Sequence, residues 1–139
     1  LLRAVDVAPA HSQARADALR ARAMLSWTRG RTEAAGVDLL AALAQFQTLG
    51  LEREVGIVEN DLAQLMLDIG RPNEAVPYAE RTVASARRLQ LPATSLGARL
   101  DTLGGALHLS GQLDAADRTY REAIAQLQSA LPRSAINHA

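Results

Sequence analysis

Between Leu51 and Ile69 the apolar side chains stand at Leu51, Val55, Val58, Leu62, Leu65, Met66 and Ile69, mostly three or four residues apart, which gathers them on one face of a helix. Gly70 follows as the residue type that turns the chain left-handed at a helix end. Pro72, with its fixed φ and missing N–H, suits the opening turn of a second helix. That helix continues through Ala75, Tyr78, Ala79, Val83, Ala86 and Leu89 until Pro92 discourages it. Pro77 falls inside this stretch: it costs little if the helix starts near Asn73, and otherwise predicts a kink. The same alternation of amphipathic runs and turn residues predicts helical pairs at 12–29 with 32–49 and at 94–109 with 113–130. Val, Ile and aromatic residues are too sparse for a strand. The expected class is all-α, with about six helices in three tandem pairs. Residues 1–8, ending at Ala8-Pro9, read as the tail of a further helix whose own pair lies upstream. Residues 132–139 read as a polar tail, frayed or closed in a short capping turn.

The pairs are copies of one another. Gly30-Arg31-Thr32-Glu33-Ala34-Ala35, Gly70-Arg71-Pro72-Asn73-Glu74-Ala75 and Gly111-Gln112-Leu113-Asp114-Ala115-Ala116 are spaced by 40 and 41 residues, and Leu51, Leu91 and Leu131 keep an interval of 40. The positions seven before, five after and twelve after each glycine are Ala23, Ala35, Ala42; Ala63, Ala75, Thr82; and Gly104, Ala116, Ala123. Eight of these nine are Ala or Gly, well above what an Ala-rich composition supplies by chance, so they mark places where paired backbones approach closely. The repeats divide the chain at 12–50, 51–91 and 92–131, within one domain spanning 1–139.

Composition removes several classes of function. Fifteen arginines balance fifteen carboxylates and there is no lysine, so no global field draws the chain to nucleic acid or to an anionic membrane. With no cysteine and three scattered histidines, neither a disulfide framework nor a metal-ligand spacing exists, and no cofactor is expected. No apolar run approaches the roughly 20 residues that cross a bilayer, and the start has no signal-peptide layout. A cytoplasmic location fits.

The string from Gly111 through Asp114-Ala115-Ala116, Tyr120 and Ala123-Ile124 resembles the second helix of a tetratricopeptide (TPR) repeat, and Leu100, Leu103-Gly104 and Leu107 match its first helix. The other two pairs share the small residues but depart elsewhere: Arg22 stands where Leu is common, Glu59 where a large apolar residue is common, and Ser26 and Met66 where Tyr is common. The period exceeds the usual 34, as in the long-period arrays of large bacterial signalling and transcription-regulatory proteins, which the text from Phe46 to Glu54 also resembles. The resemblance implies a solenoid whose first helices line a concave groove. By position, that groove holds Asp17, Arg20, Met24 and Trp27 from the first pair, Ile57, Asn60, Gln64 and Leu67 from the second, and Ala98, Asp101, Gly105 and His108 from the third. It implies a non-catalytic module that binds a protein or peptide. The alternatives are a structural spacer that self-associates weakly through its ends, and a small-ligand sensor.

Each singled-out residue also has an ordinary reading. Trp27 with Met24 is an anchor for a partner side chain, or a cap on the core. Arg15, Arg22 and Arg29, seven residues apart, are a docking strip for acid, or a helix face paired within the fold. Arg20 with Asn60 suggests a carboxylate clamp, but Ala98, Asp101 and Thr102 supply none of the further cations it needs. His108 lies two turns from Asp101 with no Ser or Cys nucleophile to complete a triad. Gly104-Gly105 has no flanking strand or Lys for a phosphate loop, so helix packing explains it.

Overall fold

The computed structural model describes residues 2–132. Among them are seven α-helices and no strand: α1 (Leu2–Val7), α2 (Gln13–Thr28), α3 (Thr32–Thr48), α4 (Glu52–Asp68), α5 (Pro72–Arg88), α6 (Ala93–Leu109) and α7 (Leu113–Ser129). The tail expected after Pro132 lies outside the described residues. Linkers of three or four residues force successive helices back on one another, so α2 packs with α3, α4 with α5 and α6 with α7, while α3 meets α4 and α5 meets α6.

One turn chemistry serves every junction between α2 and α7. At the end of α4, Gly70 takes φ +76°, its N–H donates to the Leu67 carbonyl, and the Arg71 N–H reaches back to the Met66 carbonyl at 2.7 Å. This double closure satisfies carbonyls that the helix end would leave bare. The same backward bond joins Arg31 to Ser26, Leu51 to Phe46, Leu91 to Ala86 and Gln112 to Leu107. After α5 the left-handed residue is Gln90, φ +51°, the one described non-glycine with positive φ. The repeat thus demands the conformation even where the sequence has lost the glycine that adopts it cheaply. Helix α5 starts at Pro72 and continues unbroken through Pro77, whose ring faces solvent.

All nine small positions are buried, from Ala23, Ala35 and Ala42 to Gly104, Ala116 and Ala123. At the last pair the reason is visible in atoms: a Cβ added to Gly104 would stand 2.7 Å from the Tyr120 ring, and one added to Gly97 would stand 2.7 Å from Leu127. The doublet Gly104-Gly105 is therefore a packing surface. Around these contacts lies a core made chiefly of Leu39, Phe46, Val58, Leu62 and Leu65 in the first half, and of Ala75, Val76, Ala79, Leu100 and Leu107 in the second.

The core also contains ions. Asp38, in α3, is buried and accepts both Nε and Nη2 of Arg22 from α2, at 2.8 and 2.9 Å. Glu59, which replaces the usual large apolar residue, is buried in α4 with Arg81 of α5 at 4.0 Å. Burial pushes its carboxyl above the usual range, while Arg81 and Arg99 pull it back. Arg99 of α6 is buried as well; its Nη1 donates to the Thr82 carbonyl and to Ser85 Oγ, and Thr82 Oγ1 donates to the Gly56 carbonyl. Gly56 makes room for this network, because a Cβ there would meet Ser85 Oγ at 2.5 Å and Arg99 Nη1 at 2.9 Å.

Two outcomes follow from this packing. Ala75→Leu forces extra volume between α4 and α5 and lowers stability by about 1 to 3 kcal/mol in a thermal melt; an unchanged Tm would refute the close approach. Arg99→Met strips the Thr82 carbonyl and Ser85 of a donor and Glu59 of a cation, costing about 3 to 5 kcal/mol near neutral pH. A carboxyl whose folded pKa is raised destabilises the fold above that pKa, and the penalty is relieved as pH falls toward the ordinary 4.5. The gap between Arg99→Met and the parent therefore narrows in acid, and a gap that widened would contradict this account.

Candidate functional site

Of the residues placed in the groove by position, Arg20 and Trp27 of α2 bond to α4, and Leu67 of α4 lies near Gly105 of α6. Two polar rungs join α2 to α4. Arg20 donates from Nε to Asp61 Oδ2 at 2.6 Å and from Nη2 to Oδ1 at 3.3 Å, and seven residues on the Trp27 indole N–H donates to Asp68 Oδ2 at 2.8 Å. Both rungs span 41 residues, so the repeat length that sets helix stacking also sets the register of these side chains. Between α4 and α6, Leu67 approaches Gly105: a Cβ built on that glycine would lie 3.8 Å from Leu67 Cδ1. Asp61 is buried, which raises its carboxyl pKa, and the Arg20 hydrogen bond opposes that rise.

None of the twelve candidate residues is buried. Asp17, Gln64, Ala98, Asp101 and His108 are exposed, while Arg20, Met24, Trp27, Ile57, Asn60, Leu67 and Gly105 are half-buried. Asp17, Arg20 and Ile57 border a hollow of about 70 Å³ that reaches Phe46. The Oδ1 atom of Asn60 is buried without a hydrogen-bond partner among the described residues. The Trp27 ring packs on the first-half core, as the core-cap reading expects, and its N–H donates to Asp68. The partners Asp61 and Asp68 escaped sequence reasoning. Their spacing of 41 from Arg20 and Trp27 was the available signal.

The arginine strip on α2 is largely committed inside the fold. Arg15 donates to the Val5 carbonyl of α1 at 2.7 Å, Arg22 to Asp38 and Arg20 to Asp61. Arg29 alone of the seven-residue series makes neither an ion pair nor a side-chain hydrogen bond among the described residues. Further pairs tie α5 to its neighbours, Arg87 to Glu122 and Arg88 to Glu52. No cluster of His, Asp or Glu among the described residues is arranged to hold a metal, and no described helix is long and apolar enough to cross a membrane.

No family profile and no curated protein sequence matches this chain. Solved structures do. The crystal structure of BtubC (BKLC) from P. vanneervenii superposes with a TM-score of 0.79 at 24% identity, over 93% of this chain and 50% of that one. The crystal structure of a putative kinesin light chain from Podosopora anserina, with nearly identical TPR-like repeats, superposes with a TM-score of 0.73 at 19% identity, over 89% of this chain and 60% of that one. The chain thus has the fold of a TPR-like repeat domain, a helical solenoid, and it spans half to three-fifths of the length of these two proteins.

Proposed function

We infer that the chain is a protein-interaction module that receives a peptide or partner helix along the concave face of α2, α4 and α6. The observation that supports this reading is that none of the twelve positions, drawn from three separate helices, is buried, while the small residues Ala23, Ala63 and Gly104 of the same helices are. The face is mixed in character: Met24, Ile57 and Leu67 offer apolar contact, Asn60 and Gln64 offer amides, and Asp17 and Asp101 offer charge. Such a surface suits an amphipathic protein segment better than nucleic acid, a membrane or a metal. The module is a non-catalytic, cytoplasmic part of a larger bacterial signalling or transcription-regulatory protein; the long period and the Phe46–Glu54 text support that context.

Peptides selected on the protein from a randomised display library test the groove. Gln64→Arg combined with Asp101→Arg alters two exposed positions, so the melt stays unchanged while groove-binding peptides lose at least about tenfold in affinity, or about 1.4 kcal/mol. Selected peptides indifferent to this pair, and equally indifferent to Trp27→Ala, would sink the reading.

A second reading rests on α7. Its Ile124 and Leu127 are 54% and 41% exposed, whereas their counterparts Leu43 and Phe46 in α3, and Val83 and Ala86 in α5, are buried under the next helix. This apolar stripe supports weak symmetric dimerisation through the array end. Light scattering over a concentration series then shows a dimer that Ile124→Asp with Leu127→Asp converts to monomer; a parent that stays monomeric throughout removes this reading.

A further inference from the structure

A second surface departs from the repeat in a way that stacking does not explain. Val37 and Leu40 lie on the outer face of α3 and are 63% and 49% exposed. The equivalent positions, seven and ten residues after the turn glycine, hold Pro77 and Glu80 in α5 and Arg118 and Arg121 in α7. All four of those are exposed, although each of their helical pairs already has another pair stacked in front of it. A helix added ahead of α2 would therefore leave Val37 and Leu40 bare. Their apolar character belongs to the first pair alone and asks for an occupant of its own.

The surroundings say what kind. Val37 borders three adjoining depressions. One, of about 510 Å³, is shared with Glu33, Gly36, Leu40, Met66, Ile69 and Arg71; a second, of about 390 Å³, with Leu25, Arg29, Arg31, Ala34 and Asp38; a third, of about 590 Å³, with Gly30, Arg31 and Glu33. Gly36 keeps the first open, since a Cβ there would touch only Leu65 Cδ2 at 3.5 Å. Arg29, Arg31 and Arg71 are exposed and have no ion-pair partner among the described residues, while the acids lining the same depressions are Glu33 and Asp38, the latter already paired with Arg22. In a chain of zero net charge, this is a local excess of cations ringed around an apolar patch. Val37 and Leu40 are one helical turn apart, the separation at which side chains three or four residues apart on a partner helix would meet them.

We propose that this outer face, built on Val37 and Leu40 and rimmed by Arg29, Arg31 and Arg71, docks an acidic segment of a partner protein that presents two apolar side chains one helical turn apart. The apolar pair enters the depressions beside Val37, and carboxylates flanking it meet the three arginines. The site stands apart from the groove and does not depend on it.

The same randomised peptide selection, panned at low salt, decides the matter. A class of enriched peptides is expected to be net acidic with two apolar residues three or four apart. Val37→Arg with Leu40→Arg, the residues that α7 carries at these positions, should weaken that class at least about tenfold even though it adds positive charge. Arg31→Glu with Arg71→Glu should weaken it similarly, and Arg118→Glu should leave it unchanged. Tightening by Val37→Arg with Leu40→Arg would mean that charge alone attracts the peptides, and would overturn the proposal. So would the absence of an acidic class, or enriched peptides that depend only on Gln64 and Asp101, which would leave the groove reading standing. A self-association lost in Val37→Arg with Leu40→Arg would assign the face to a second copy of the chain and overturn it as well.

Discussion

The close approach of paired helices at small residues, Ala, Gly and Thr, governs this molecule. Where Ala63 faces the second helix of its pair, or Gly104 lies under the Tyr120 ring, no space remains for a larger residue. Backbone proximity fixes the helix pairs, and the pairs fix how one stacks on the next. The three- and four-residue linkers with their left-handed residue serve this constraint: each reverses the chain within the short distance that such packing leaves. That Gln90 accepts φ +51° shows the order of priority, because the tertiary arrangement there overrides the residue's own preference.

Small residues bury little apolar area each, so this core gains less from hydrophobic burial than a Leu-rich one of equal length. Ion pairs and hydrogen bonds fill part of the interior instead. Arg22 with Asp38 stitches α2 to α3, Arg20 with Asp61 stitches α2 to α4, and Arg99 gathers α4, α5 and α6 around Gly56, Glu59, Thr82 and Ser85. Buried pairs are costly to desolvate and gain mainly in geometric specificity. In an array whose repeats are near copies, such pairs distinguish one junction from another, since among the described residues no other two helices are joined by an Arg–Asp pair. Three of the fifteen arginines, Arg20, Arg22 and Arg99, are used in this way, while Arg29, Arg31 and Arg71 stand unpaired among the described residues and form a cationic rim in one place.

Two faces are left with side chains that the fold does not use. Along α2, α4 and α6 the polar rungs at Asp61 and Asp68 keep neighbouring helices in register and leave amides and apolar side chains between them. On the outer side of α3, Val37 and Leu40 stand in a ring of arginines. The two surfaces differ in kind: the first draws on three repeats and is mixed in chemistry, the second lies where the first pair meets the second and carries more arginines than acids. A solenoid can carry both because each repeat contacts only its neighbours, so the remaining surface of every helix varies without cost to the stacking.

Much of the fold was legible in the residues themselves. The period of 40 and 41, the turn glycines and the small residues at fixed offsets are local, periodic signals, and each helix is set by its own amphipathic text. The exposed outer residues of α3 were equally visible in the sequence, but only the exposure of Pro77, Glu80, Arg118 and Arg121 shows that stacking leaves those positions open. Glu59 was legible as a departure from the repeat and not as a partner of Arg81 and Arg99, because those contacts join separate helices. The same holds for the bond from the Trp27 N–H to Asp68, which joins α2 to α4. The sequence by itself determined the helices, their turns and their repeat, since these follow from spacings along one chain. Only the tertiary structure decided which charges are neutralised and which are left at the surface, because pairing depends on distances between helices some 40 residues apart, which no local pattern encodes.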